Sequence, residues 1–167
     1  MVKYRPVFRH RAFNNLIARV SSAGLPVTKE PLGLFRSDGK RPDGLTLVHW
    51  SSGKALCWDV TVTCPLADSS FNAAAREPGA AAELAASRKE EKYADLDGRY
   101  TFEPIAIETL GVLNTSARQL LCDLGRKISE NTGEVRETSF LFQRCSVLVQ
   151  RFNATLLHDS VPADCTD

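Results

Sequence analysis

The chain has no CxxC pair and no cysteine–histidine spacing of the kind that holds structural zinc, although it carries five cysteines. Their number is odd and their spacing irregular; Cys57 and Cys145 lie in apolar runs and read as reduced core residues. No GxGxxG or P-loop pattern occurs, since the glycines are scattered, which excludes the common phosphate-cradling loops. There is no apolar run of transmembrane length and no signal-peptide pattern. A soluble intracellular protein without a membrane partner is therefore expected, nuclear if its source is eukaryotic. The three histidines, His10, His49 and His158, are not spaced for a metal cage, and none adjoins a serine or cysteine in a nucleophile motif. His10 reads as an exposed helix-start residue, with phosphate contact as the alternative. Internal repeats and domain-splitting linkers are absent as well.

What is present fits one domain with a real core, spanning residues 1–160, and a flexible tail at 161–167. Hydrophobic residues make up 43% and charged residues 25%, and the net charge is +1, so the whole-chain balance does not announce a polyanionic partner. The distribution is more informative. Lys3, Arg5, Arg9, Arg11, Arg19 and Lys29 all precede the first acid, Glu30. A basic arm followed by acidic residues suits phosphate attraction beside a metal site, and a solvated basic helix face is the plainer alternative.

Along the chain, residues 1–9 read as an irregular lead-in. Phe13, Leu16, Ile17 and Val20 then recur with helical spacing, predicting a helix over 10–23 that Gly24 ends. Residues 25–34 read as an edge strand, weakened by Pro26 and Pro31, with a turn at 35–41. A hairpin follows over 38–62, then a loop over 63–78. The alanine-rich stretch 79–96 is the clearest helix, stopped by Asp97-Gly98. A strand at 100–110 should carry Glu103 and Glu108 toward solvent. Helices are expected at 115–131, with Leu120, Leu121, Leu124 and Ile128 inward, and at 135–158, whose middle is apolar nearly all round and should be deeply packed. On that last helix Gln143-Arg144 and Gln150-Arg151 read as polar relief, or as the lining of a DNA groove. Trp50 and Trp58 read as core or sheet-face residues. The expected architecture is α/β (α+β), a small mixed four-stranded sheet flanked by helices.

The hairpin carries the chemistry. Asp43, after Pro42, opens its first apolar segment, and Asp59 lies inside its second, between Trp58 and Val60. A carboxylate in an apolar strand is costly unless its charge is compensated. If Ser51 to Lys54 make the turn, Asp43 and Asp59 fall within two or three positions of each other. A divalent cation commonly makes such a pair favourable, and hard oxygen ligands suit Mg²⁺ or Mn²⁺. A catalytic cation is expected two residues beyond Asp59, where Thr61 stands instead. On a helical projection Lys89 shares a stripe with Ala82, Ala85, Ala86 and Tyr93, and a face of alanines lets a helix approach a sheet closely. Lys92 is the second choice; surface pairing of both lysines with glutamates is the plainer reading.

A proline-aspartate, an acid in the next strand and a lysine beyond resemble the PD-(D/E)XK nuclease superfamily. More closely, Arg41-Pro42-Asp43, then Trp58 to Val62, then Arg88-Lys89 with Tyr93 resemble the restriction-like endonuclease domain of site-specific non-LTR retrotransposons, in which the lysine has moved to the following helix. The phrases GKRPDGLTL, WDVTV, EEKYADL and ETLGVLN are similar to those of uncharacterised animal proteins that accompany reverse-transcriptase-like genes. The resemblance implies a restriction-endonuclease-like core and a metal-dependent DNA endonuclease that nicks, or cuts both strands as a dimer. In it Asp43 and Asp59 bind the metal, Glu30 is an extra acidic ligand, and Lys89, or else Lys92, assists the attacking water. Arg9, Arg11, Lys40 and Arg41 are the expected DNA contacts, and a reverse-transcriptase-bearing protein is a further expected partner. The chain departs from the family in lacking both a reverse-transcriptase segment and a zinc knuckle. A catalytically silent DNA-binding or scaffold domain that keeps the nuclease fold is the alternative.

Overall fold

The computed structural model describes residues 5–22, 25–34, 39–96 and 98–158. The expected helix stop at Gly24, most of the turn at 35–41, Asp97 and the tail at 161–167 lie outside them. The elements are α1 (Arg5–Ser22), β1 (Val27–Lys29), β2 (Gly44–Ser51), β3 (Lys54–Thr63), α2 (Asp68–Ala74), α3 (Ala80–Lys92), β4 (Tyr100–Glu108), α4 (Thr115–Thr132) and α5 (Glu137–His158). The strands form one mixed sheet in the order β1-β2-β3-β4, antiparallel except for the parallel β3–β4 pair. This is the expected mixed α/β architecture, with helices on both faces of the sheet.

Alternation along β3 decides what each face does. Leu56, Trp58 and Val60 point into the main core with Phe13 and Ile17 of α1, Ile105 and Ile107 of β4, and Leu120, Leu121, Leu124 and Ile128 of α4. On the opposite face Ala82 and Ala86 of α3 close against Ala106 of β4. Small side chains on both sides let this helix lie close to the strands. Pro104 interrupts no ladder bond, because β4 is an edge strand and its proline backs onto the Asn114 side chain rather than onto β3. Asn114 serves that edge further, accepting from the Ala106 N–H at 2.8 Å.

Several expectations need correction. Helix α1 includes residues 5–9, so that part of the expected irregular lead-in at 1–9 is helical, and residues 1–4 lie outside the described residues. The loop at 63–78 contains a short helix, α2. The strand at 25–34 shrinks to the three residues of β1, because Pro26 and Pro31 flank it closely. Helix α5 is not deeply packed: it buries one stripe, Leu141, Cys145 and Val149, against α1 and α4, while Val147 is 61% exposed. It lies outside the sheet's helical layer, so only one of its faces meets protein. Glu108 does not face solvent; it is 3% exposed, and Glu103 is half-buried.

Burial pushes the Cys57 thiol up to about 12 and the Cys145 thiol up to about 11, which suits inert core residues. Trp58 is fully buried, and its ring lies directly on Gly44. A Cβ at position 44 would come within 2.0 Å of that ring. Gly44→Ala should therefore force the indole off its rotamer and destabilise the fold by about 2 kcal/mol or more. Denaturant melts of the two proteins check this, and an unchanged midpoint would refute the packing described.

Candidate metal centre

The hairpin turns at Ser52-Gly53, both with positive φ (50° and 73°), as a two-residue turn matching the strand twist requires. Ser51 pairs with Lys54 across it, which is where the sequence places the turn. Continued without interruption, that register would set Asp43 opposite Val62. Two irregularities intervene, one between His49 and Ser51 and one between Leu45 and His49. Gly44 consequently pairs with Trp58, and the Asp43 N–H donates to the Trp58 carbonyl at 2.9 Å. Asp43 is thereby carried to the level of Asp59.

Both carboxylates are withdrawn from water, Asp43 at 9% exposure and Asp59 at 5%. Oδ2 of Asp43 accepts from the Val60 N–H at 2.6 Å and lies 2.8 Å from Nε2 of His10. Oδ1 of Asp59 lies 2.5 Å from Nζ of Lys89, and its Oδ2 accepts from the Tyr93 hydroxyl at 2.6 Å. The same hydroxyl sits 3.0 Å from the Arg41 carbonyl, so Tyr93 ties α3 to the approach to β2 as well as to β3. One donor atom each from His10, Asp43 and Asp59 can be chosen so that all lie within 4.8 Å of one another. Metal–ligand bonds of about 2.0–2.2 Å hold donors within roughly 4.4 Å, so small side-chain shifts would bring these three onto one ion.

Lys89 is fixed from both ends of its helix. At the N-terminus of α3, the Glu108 carboxylate accepts from the Ala81 and Ala82 N–H groups at 3.1 and 3.3 Å, where the helix dipole favours a negative charge. Just past the C-terminus, Tyr93 is held by Asp59 and stacks at a tilt on Phe102 of β4, ring centroids 4.5 Å apart. The alanine stripe between them permits the close approach.

Of the residues expected at the site, Asp43, Asp59 and Lys89 come together. Glu30 does not join them: it follows β1, its side chain is exposed, and only its N–H reaches toward the site, to the Asp43 carbonyl at 3.0 Å. Lys92 is exposed and does not join them. Arg11, Lys40 and Arg41 are exposed and Arg9 is half-buried, with its Nε enclosed and unbonded among the described residues.

The residue missed is His10. It is not an exposed helix-start histidine, since α1 starts five residues earlier and His10 is half-buried on the face shared with Phe13, Asn14 and Ile17. That helical spacing was the available signal. Asn14 belongs with it: its Oδ1 accepts from the Trp58 indole at 3.1 Å, and its Nδ2 donates to the Asp43 carbonyl at 3.2 Å.

No protein-family model matches this chain, and no curated protein matches it either. None of the helices among the described residues is long and apolar enough to cross a membrane.

The hydrogen bond to Asp43 raises the His10 pKa above the ordinary 6.5; burial works against the rise, and the charges of Asp43 and Asp59 add to it. A raised folded-state value means that the pair stabilises the fold fully below the ordinary histidine pKa and loses this as pH rises through the raised value. In metal-free protein, the His10 ring signals followed by NMR should titrate above pH 6.5, and Asp43→Asn should bring the midpoint down. A midpoint at or below 6.5 in the unsubstituted protein would mean the two side chains do not meet.

Proposed function

We propose that this protein is a metal-dependent DNA endonuclease of the restriction-like kind, hydrolysing phosphodiester bonds with Mg²⁺ or Mn²⁺. The observation that carries the reading is the convergence of two buried carboxylates, one just before β2 and one within β3, with a lysine amine supplied by the next long helix. Asp43 and Asp59 would hold the ion, with His10 as a nitrogen donor that inclines the site toward Mn²⁺. A bound divalent ion would supply an activated water at neutral pH and a Lewis acid at the phosphate. Lys89, positioned by Glu108 and Tyr93 at the two ends of its helix, lends positive charge where negative charge builds on phosphorus. Tyr93 and the Val60 N–H orient one carboxylate each, which limits the rearrangement needed on substrate binding.

A second reading has its own observation. Each carboxylate already faces a basic partner, the Lys89 amine for Asp59 and, for Asp43, the His10 imidazole, which is cationic when protonated, so the buried charges can be compensated without an ion. This favours a catalytically silent DNA-binding or scaffold domain on the same fold.

Asp59→Asn, which keeps the shape of the side chain, should lower plasmid nicking in Mg²⁺ or Mn²⁺ by at least about 100-fold, and Lys89→Met by a similar factor. Each variant leaves a charged group of the site without its partner and should also lower the melting temperature, so nicking is compared at a temperature where circular dichroism shows all proteins folded. Calorimetric titration with Mn²⁺ separates the readings: heat of binding that Asp43→Asn abolishes supports the enzyme, whereas no binding together with no nicking supports the silent domain.

A further inference from the structure

Between α1 and α5, away from the metal centre, runs a groove formed by two adjoining hollows of about 540 and 570 Å³ that share Leu16, Arg19 and Arg144. We propose that this groove binds the sugar–phosphate backbone of DNA. The proposal rests on the nuclease reading for the identity of the polymer, and on the groove's own charge and shape for the binding.

The charge is one-sided. Helix α1 carries Arg9, Arg11 and Arg19 and no acidic residue, and α5 carries Arg144 and Arg151 with a single acid, Glu137 in its first turn. These helices are thus strongly basic in a chain whose total is only +1. Arg19, Arg144 and Arg151 line the groove, and Lys29 adds a fourth cation at its rim by donating to Asn15, another lining residue, at 2.9 Å. Glu137 is the one acid among the described lining residues, two helical turns from Arg144. Neither the Arg144 nor the Arg151 side chain has an ion-pair or hydrogen-bond partner among the described residues, and both are exposed. Unneutralised arginines along one face attract a polyanion.

Geometry narrows the occupant. Arg144 and Arg151 are two helical turns apart on the same side of α5, about 10 Å, so their side chains can reach different phosphates of one strand. Among the described residues the polar groups that line the groove are chiefly cationic, which suits contact with the backbone. Helix α1 stands between the groove and the metal centre: His10 and Arg19 are nine residues apart, about 13 Å along one rigid helix and on opposite sides of it, so a polymer touching both must pass around α1. Backbone contacts of this type give affinity without sequence preference and with a steep dependence on salt.

The test is fluorescence anisotropy with a fluorescein-labelled 20-base-pair duplex in EDTA, from about 50 to 200 mM NaCl. It compares the unsubstituted protein with Arg144→Ala/Arg151→Ala and with Arg126→Ala, an exposed arginine of α4 outside the groove. The expected result is that the double variant loses about 10-fold or more in affinity and that its log–log salt slope falls by about two, one per arginine, while Arg126→Ala binds normally. Arg144→Lys/Arg151→Lys should restore the slope, which distinguishes lost phosphate contacts from damage to the fold. Unchanged affinity and slope in the double variant would overturn the proposal. So would competition by polyglutamate or by phosphatidylserine vesicles as strong as that by unlabelled duplex, which would make the groove a site for acidic protein or lipid. Binding through these arginines without any nicking would leave the groove standing and remove the endonuclease reading. Nicking by a protein whose DNA binding ignores both arginines would do the reverse.

Discussion

Two carboxylates held in a protein interior repel each other, and much of the surroundings of Asp43 and Asp59 is arranged against that repulsion. At no more than 4.8 Å and an effective dielectric near 20, two unit charges repel by at least roughly 3 kcal/mol. The fold does not weaken this by letting water in. It places a basic group against each carboxylate, the His10 imidazole from one face of the sheet and the Lys89 amine from the other, and adds one neutral donor to each, the Val60 N–H and the Tyr93 hydroxyl. The site is therefore a closed set of mutually dependent charges, in which loss of any one leaves another buried without its partner.

The hairpin that creates the repulsion is not a regular one. Its turn and its far end are out of register by three residues, absorbed in two irregularities along β2 and β3. Irregularities of this type commonly re-aim side chains near functional sites, and here they bring Asp43 from the level of Val62 to that of Asp59. The same shift seats Gly44 under the Trp58 ring, where no other residue fits. Core packing and site geometry are thus fixed by the same register.

This explains which parts were legible in the sequence. Asp43, Asp59 and the turn at Ser52-Gly53 could be read because aspartates in apolar strands and a Ser-Gly pair between them are local signals. Lys89 could be read because its stripe of alanines and Tyr93 is a periodic one, and the helix does dock on that stripe. The pairing of Asp43 with Asp59 could be read only to within three positions, since no local pattern announces a register shift. His10 was missed because its partner lies 33 positions away and the start of α1 was placed too late. Glu108 was misjudged for a similar reason: a glutamate ending an edge strand ordinarily meets water, and only the docking of α3 turns it into that helix's N-terminal partner. The apolar look of α5 misled because its hydrophobic residues exceed what one contact face can bury.

The position of Lys89 follows from the same interplay. A lysine on the strand would owe its place to the alternation of β3 alone, but that position holds Thr61. A lysine on α3 depends on the whole helix, and the helix is fixed at its two ends by groups that the strands supply. Glu108 on β4 holds the first turn through backbone N–H groups, independently of what side chains stand there. Asp59 on β3 holds the last turn through Tyr93 and Lys89 together. Between those points the contact is made by alanines, whose short side chains allow little slack in the distance between helix and sheet. A four-carbon amine can then be as well placed from a helix as from a strand, and the carboxylate it meets is part of what keeps the helix there.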